Sequence, residues 1–386
     1  MKEWLIIGGG IHGCTIATFL LKNGKVDIHH LQIIDPSPVP MRRWKQLTSR
    51  IGMDYLRSPV VHHVDTHPSS LERYAKRLNF DNAFYGYYQK PHLELFNHHC
   101  HHTFSEIQLH KAWKIGYVNE LEYKGNHWIV RTSDGQSVPS KRVVLAIGVN
   151  DQPSYPYWAK ELNERHPEKV FHIFDKNLPS MESGSVPVAI IGGGITAAHL
   201  INKICDDVPV IQVKRHLNRV HEFDSDPGWM GPKYMRKFYR VENYDERRKI
   251  ITQARHKGSI TQHLFHKQKH LERKGRLMTV TGEVMNCSMD EHSQLLFQFH
   301  NGVQLKASHI ILATGVEGAL PGKGWLSRTI EKHGLKCSKC GFPIVSPELE
   351  WGKGLHVAGA LAELEIGPVS RNISGARKIA ERLAAI

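Results

Sequence analysis

An α/β fold with parallel sheets is predicted by three observations. The chain opens with an apolar strand that runs straight into a glycine triplet and a helix. That pattern returns about 180 residues later, and the apolar runs Val143–Val149 and Val186–Ile195 have the length of buried strands. At 386 residues, with 40% apolar and 23% charged side chains, the chain has a core-forming composition, which excludes a disordered or fibrous protein. Six cysteines are too few for a disulfide framework, and no N-terminal segment has the order of a signal peptide, so a cytoplasmic location is expected. No apolar run reaches the ~20 residues that cross a bilayer, and no transmembrane segment is expected.

The first element is Trp4-Leu5-Ile6-Ile7, followed by Gly8-Gly9-Gly10-Ile11-His12-Gly13 and a helix-forming run to Asn23-Gly24. In this dinucleotide-binding fingerprint Gly8 makes the tight turn and Gly10 lets backbone N–H groups reach a pyrophosphate. Gly13 lets helix and strand pack closely, while Ile11 and His12 open the helix whose N-terminus faces the phosphate charge. A second strand, Leu31-Gln32-Ile33-Ile34, ends at Asp35, where a carboxylate accepts hydrogen bonds from an adenosine ribose. Strand, turn, helix, strand and acid occur in order, which makes nucleotide binding the leading reading over a simple turn.

Val186 to Ile191 leads into Gly192-Gly193-Gly194-Ile195-Thr196-Ala197, with Ala197 in the third small position. Two Rossmann-like nucleotide sites are therefore expected. The second of these strands is followed by Lys214-Arg215-His216 and Arg219 in place of an acid. Cations there suit an adenosine 2′-phosphate, hence NADPH over NADH; the alternative is a solvated basic strand end.

Net charge is +14, and 27 histidines add to it as pH falls, which favours anionic partners. Between Lys233 and Arg276, 14 Lys and Arg stand against four Asp and Glu, a local +10. Ile260, Leu264 and Leu271 have the spacing of a helix with one buried face. This basic insert reads as a solvated face, or as a site for an anionic substrate, an acidic partner or a membrane surface. Its aromatic residues precede the most basic stretch, so nucleic acid is not expected.

Cys337-Ser338-Lys339-Cys340-Gly341 has the spacing of a redox pair or half a zinc knuckle, or is a turn with two incidental thiols. His98-His99-Cys100-His101-His102 is rich in metal-ligating types, but sequence neighbours point in different directions, and no metal is expected.

The two turns, with Val144-Leu145-Ala146-Ile147-Gly148 between them and Ile310-Ile311-Leu312-Ala313-Thr314-Gly315 after the second, resemble the two-dinucleotide-binding-domain flavoproteins. The resemblance covers most of the chain. It implies FAD at the first turn, NADPH at the second, and an NADPH domain (181–304, with the basic insert at 233–276) inserted into an FAD domain (1–180 with 305–386). It also places Thr314, Gly315, Gly359, Gly367, Pro368 and Asn372 near the cofactors, with the last helix opening between Ser370 and Gly375 toward the flavin ring.

Disulfide reductases of this superfamily carry Gly-Asp where this chain has Gly359-Ala360. The chain is more similar to the class B monooxygenases and the siderophore-type ornithine or lysine N-hydroxylases. Val170-Phe171-His172-Ile173-Phe174-Asp175 resembles their Phe-His segment, and Leu312 to Gly315 their late Ala-Thr-Gly motif, although the Tyr that follows it in N-hydroxylases is Val316.

The resemblance implies hydride transfer from NADPH to FAD, a flavin C4a-peroxide formed with oxygen, and oxygen transfer to a small-molecule amine or similar nucleophile. His172 then lines the site or holds the nicotinamide, or is a strand histidine satisfied by backbone. Arg57 and His62, in Tyr55 to His63, face the flavin or belong to a surface loop capping a helix at Ser69 or Ser70. The rivals are a reductase feeding an acceptor through Cys337 and Cys340, and a non-catalytic flavin module docked on an anionic surface.

Overall fold

The computed structural model describes residues 1–149, 151–176 and 186–386. The strand Lys2–Ile7 lies between Leu31–Asp35 and Ser137–Leu145, parallel to both. Leu355–Val357 adds outside Ser137–Leu145 and Trp113–Ile115 outside Leu31–Asp35, also in parallel. Leu5 and Ile6 are fully buried, as central strands covered on both faces must be. Val118–Lys124 and His127–Thr132 form an antiparallel meander that returns onto Ser137–Leu145. One apolar core spans this unit and includes Ile379 and Leu383 of the last helix, Ile373–Leu383.

The second sheet has the order Leu277–Thr281, Val210–Lys214, Val188–Ile191, His309–Leu312, Val170–His172, parallel throughout. Alternation along Val188–Ile191 sends Ala189 and Ile191 into one core and Val188 and Ile190 into another on the opposite face. The expected junction at 180/181 lies outside the described residues. Val170–His172 and His309–Leu312, which flank the expected span of 181–304, both pair inside this second sheet. Ile310, Ile311 and Leu312 are fully buried there, so the chain is still part of the second sheet at Leu312.

The basic insert is three helices, Pro232–Tyr239, Tyr244–Ala254 and Gln262–Arg273. Leu264 is buried as its spacing implies, but Ile260 belongs to the short strand Ser259–Ile260 that precedes the third helix. Polar contacts join the two units. Arg50 Nη1 donates to the Ile173 carbonyl at 2.8 Å, Lys203 Nζ to that of Ser49 at 2.9 Å, and Lys90 pairs with Glu222. Among the described residues no helix is long and apolar enough to cross a membrane.

Candidate active site

At the first turn Gly8 has φ +107°, and a Cβ there would lie 2.5 Å from the Ala146 carbonyl oxygen, so only glycine fits. A Cβ on Gly13 would lie 1.9 Å from the Gly8 carbonyl oxygen, the close helix–strand approach that the fingerprint requires. Around Gly10, by contrast, 4 Å of space is open. Gly10 caps the helix Ile11–Lys22 without any side-chain hydrogen bond, so the first-turn N–H groups of Ile11 and His12 are left for an anion.

Asp35 holds this turn from beneath: Oδ2 accepts from Gly9 N at 2.6 Å and Oδ1 from Ser37 N at 2.7 Å. A carboxylate has about four acceptor positions, so each oxygen retains capacity for a ribose hydroxyl. Trp113, which sequence reasoning missed, closes the turn from the side. Its ring lies where a Gly9 side chain would be, and its Nε1 donates to the Ser37 carbonyl at 2.9 Å.

The C-terminal return segment is stitched to this turn. His12 Nε2 donates to the Ser370 carbonyl at 2.8 Å, and Ser370 Oγ donates to the Gly359 carbonyl at 2.6 Å. Burial lowers the His12 pKa, which keeps its ring neutral. The structure thus brings Gly10, His12 and Gly359 together across more than 340 residues of chain. The Pro368 carbonyl accepts from Arg255 of the insert at 3.2 Å, and Asn372 Nδ2 donates to Asp224, ahead of the insert, at 3.0 Å. Gly367, at φ +84°, packs against Met235, where a Cβ would come within 3.2 Å of the sulfur. The last helix begins at Ile373, with Asn372 as its cap residue.

The second turn repeats the first in backbone. Gly192 has φ +151°, and a Cβ there would lie 2.5 Å from the Ala313 carbonyl oxygen. Gly194 caps the helix Ile195–Ile204, again with no side-chain hydrogen bond, leaving the N–H groups of Ile195 and Thr196 at its mouth. Lys214 takes the place of Asp35. It is buried, its Nζ donates to Asn218 at 2.6 Å, and burial lowers its pKa; Arg215 beside it is exposed. Gly258 of the insert reaches this mouth, 3.5 Å from a Cβ on Gly194.

His172 ends the edge strand of the second sheet and is fully buried. Thr314 gives its hydroxyl proton to the Ser154 carbonyl at 2.5 Å, so His172 Nε2 is the donor in its 3.2 Å contact with Thr314 Oγ1. Nδ1 accepts from Phe174 N at 3.1 Å. Both nitrogens are occupied by a neutral ring, and burial lowers its pKa to about 4. Gly315 adopts φ +84° just beyond, and its carbonyl accepts from Ser154 N at 3.0 Å.

Arg57 sits between the units and donates to the carbonyls of His221, Glu222 and Phe223 and to Ser259 Oγ, at 2.7 to 3.2 Å. His62 is half-buried, and burial first, then Arg377, His63 and Lys378, lower its pKa to about 4. Downstream of both, Ser69 precedes the helix Ser70–Leu78 without a side-chain capping bond.

The five residues from His98 to His102 divide as their helical spacing dictates. His99 is buried against Ser70, His102 meets Arg77 and Glu106, and His98 approaches Glu94. His98 and His101 line a cavity of about 570 Å³ with Lys45, Asp54, His92 and Asn97. No group of three or more potential metal ligands occurs among the described residues.

Sequence reasoning also missed Glu363, whose side chain is fully buried between Arg248, Arg255 and Arg371. Burial opposes its ionisation, but the three guanidiniums win and hold its pKa down to about 2. The one signal was a pair of acids, Glu363 and Glu365, inside an apolar stretch.

Two family models match the chain: FAD-NAD(P)-binding over residues 5–150, and L-lysine 6-monooxygenase/L-ornithine 5-monooxygenase over residues 91–317. No curated protein matches the sequence. Among solved structures, the ornithine N-hydroxylase of Kutzneria sp. 744 is 14% identical with TM-score 0.77, over 100% of this chain and 98% of that one. The FAD-bound cadaverine monooxygenase of desferrioxamine biosynthesis from Erwinia amylovora is 13% identical with TM-score 0.75, over 99% and 93%. The bacillithiol disulfide reductase of Staphylococcus aureus is 13% identical with TM-score 0.66, over 100% and 97%. These likenesses show a shared fold, whereas the second family model spans more than half of the sequence: the chain belongs to the L-lysine 6-monooxygenase/L-ornithine 5-monooxygenase family of FAD- and NADPH-dependent enzymes.

Proposed function

We propose that the chain hydroxylates the nitrogen of a small primary amine, consuming one O2 and one NADPH with a proton and releasing the hydroxylamine, NADP+ and water. The observation that carries this reading is the pair of open, uncapped helix N-termini, one above an acid and one above a lysine, in a chain matched by the amine monooxygenase family model. Bound FAD supplies the redox chemistry, accepting hydride from NADPH and activating oxygen.

The residues of this chain bind and orient. Gly8, Gly10 and Gly13 with the N–H groups of Ile11 and His12 hold the FAD pyrophosphate, and Asp35 accepts from its adenosine ribose. Gly359, fixed by Ser370, brings backbone to the same side. Gly192, Gly194, Ile195 and Thr196 hold the NADPH pyrophosphate, with Lys214 and Arg215 on the 2′-phosphate. His172 with Thr314 fixes the strand end beside Gly315 as a positioning pair, since both of its ring nitrogens are bonded. Arg57 sets the distance between the units through three carbonyls, and His62 lies beside the last helix as a neutral ring.

The insert's Arg247, Arg248 and Arg255 are committed to Glu363 and Glu365, so we assign them to holding the return segment and not to an external anionic partner. Six free thiols, four of them buried, support action in the cytoplasm.

The test is anaerobic reduction of the flavin-loaded protein by NADPH and by NADH, then aerobic assay for hydroxylamine with lysine, ornithine and cadaverine as probe amines. Faster reduction by NADPH and a hydroxylamine product from one probe support the proposal. NADPH oxidation that yields only hydrogen peroxide with all three, or that requires a disulfide acceptor, overturns it. Replacing both Cys337 and Cys340 by Ser leaves hydroxylation intact on this reading.

A further inference from the structure

The Cys337–Gly341 turn takes no part in either nucleotide site. Ser338 N donates to the Phe342 carbonyl at 2.9 Å, Gly341 N to the Ser338 carbonyl at 2.8 Å, and Cys337 bridges Pro343 in antiparallel register. This tight hairpin holds two thiols three residues apart in sequence, near enough for Cys340 to act on Cys337.

The two thiols differ. Cys337 is half-buried, and burial and then the nearby Cys340 push its thiol up. Cys340 is exposed, with Sγ 3.0 Å from Ser338 Oγ and 3.4 Å from Arg248 Nε. What burial it has opposes ionisation, but Ser338, the Phe342 backbone and the Arg248 guanidinium outweigh it and lower the thiol pKa.

Arg248 also links this turn to the return segment. It pairs with Glu363, lies over the Phe342 ring at 4.3 Å, and keeps a buried Nη2 without a hydrogen-bond partner. Three arginines surround the single carboxylate of Glu363, and Asp224 also acts on Arg255. The Cys340 sulfur, 3.4 Å from Arg248 Nε, lies at the edge of that cluster, where the guanidinium favours its ionised form.

We propose that Cys340 and Cys337 form a peroxide-reactive thiol pair, with Cys340, whose Sγ lies 3.4 Å from Arg248 Nε, as the attacking sulfur and Cys337 as the resolving one. In the first step the Cys340 thiolate attacks one oxygen of hydrogen peroxide. An S–O bond forms, the O–O bond breaks, and the departing hydroxide takes a solvent proton to become water. In the second step Cys337 sulfur attacks the Cys340 sulfenic acid. The S–S bond forms, the S–O bond breaks, and the thiol proton leaves with the hydroxide as water. Peroxide is reduced to two waters and two thiols are oxidised to one disulfide.

The flavin-loaded full chain, titrated with hydrogen peroxide and followed by intact mass and maleimide labelling, tests this. The expected result is a mass loss of about 2 Da and two fewer reactive thiols, both restored by dithiothreitol. In Cys337→Ser the reaction is expected to stop at a sulfenic acid trapped by dimedone. Arg248→Gln slows Cys340 oxidation roughly threefold or more through loss of the neighbouring cation, and Arg248→Lys, which retains a charge opposite Glu363, recovers part of that rate. A Cys340 that oxidises no faster than free N-acetylcysteine, or at one rate in all three Arg248 forms, overturns the proposal.

Discussion

At the first glycine turn the residue that ends the second strand is Asp35, and at the second turn the residue in that place is Lys214. The frames around them coincide. Gly8 N donates to the Ile34 carbonyl and Gly192 N to the Val213 carbonyl, both at 2.9 Å, and each glycine leaves 2.5 Å between a would-be Cβ and an alanine carbonyl. The turns differ in three respects: the sign of the charge, the third small residue, and what closes the site. Gly13 permits a contact that Ala197 cannot, so the first helix lies tighter on its strand. The first turn is closed by the return segment through His12 and Ser370, the second by Gly258 of the insert. A common backbone thus presents two uncapped helix N-termini, and the residues around them differ in charge and in what closes each turn.

The largest effect is expected at Gly13. A methyl there must displace the Gly8 carbonyl from 1.9 Å to beyond 3 Å, which moves the helix whose N-terminus faces the phosphate. Gly13→Ala is predicted to lower retained FAD at least tenfold, measured as the flavin-to-protein absorbance ratio. Ala197→Gly, the reciprocal change, is predicted to leave NADPH binding within twofold. Normal flavin content in Gly13→Ala would show that the two turns are equally tight.

Glu363 comes next because it ties the return segment that closes the first turn to the insert. Glu363→Gln leaves Arg248, Arg255 and Arg371 without their buried carboxylate, a loss of about 3–5 kcal/mol. The thermal midpoint should fall by several degrees, with flavin released before the second unit melts. Its folded pKa of about 2 lies below the ordinary 4.5. The group therefore stabilises the fold fully above about pH 4.5, and that contribution is lost as pH falls toward 2. If Glu363→Gln melts at the wild-type temperature, the arginine cluster does not hold the return segment.

Histidines extend the contrast to milder acid. Burial, the first cause in each, lowers His62, His63, His172 and His199 to about 4 and His99 to about 3. Each stays neutral in the fold while the unfolded chain protonates near 6.5, so their contribution is complete above pH 6.5 and is lost as pH falls toward 4. Three of the five belong to the first unit. Denaturant titrations between pH 7 and 4.5 should show stability falling with pH, with flavin release preceding loss of the second sheet. A flat profile would mean that these rings become solvated without unfolding.

Much of this was legible in the sequence because glycine turns obey local rules. Gly8, Gly10, Gly13 and Asp35 are fixed by backbone sterics and strand length, and their places follow from spacing alone. Strand membership, by contrast, is non-local: Ile310 to Leu312 pair with residues more than 110 positions away. The Arg57 guanidinium meets carbonyls about 165 positions on, a contact that no local pattern encodes. The same holds for the insert. Its charge reads as a solvated face, but Arg247, Arg248 and Arg255 end at two buried glutamates more than 100 residues later.

Lys214 tests the charge difference directly. A charged hydrogen bond to a phosphate contributes about 1.5–3 kcal/mol, so Lys214→Ala should lower kcat/KM for NADPH by roughly tenfold or more, because 1.4 kcal/mol is a factor of ten. NADH, without the 2′-phosphate, should be nearly unaffected, and Lys214→Asp should narrow the preference further. Equal losses with both nucleotides would mean that Lys214 shapes the strand end through Asn218 and does not read the phosphate.

The smallest effect is expected at Arg215, and it separates two ways of using charge at one site. Lys214 is buried and tied to Asn218, whereas Arg215 is exposed. An exposed cation acts through solvent and is screened within about 8 Å at physiological ionic strength. Arg215→Ala is therefore predicted to weaken NADPH by only about threefold at low salt, and by nothing measurable at ~0.5 M salt. The Lys214→Ala loss should persist at both, because burial excludes the screening ions. Steady-state KM for NADPH at the two salt concentrations in the two variants decides between them. If both losses vanish in salt, the second turn attracts NADPH by its field alone. If both persist, Arg215 folds onto the phosphate when the nucleotide binds, and the second turn is completed by its ligand as the first is by its own return segment.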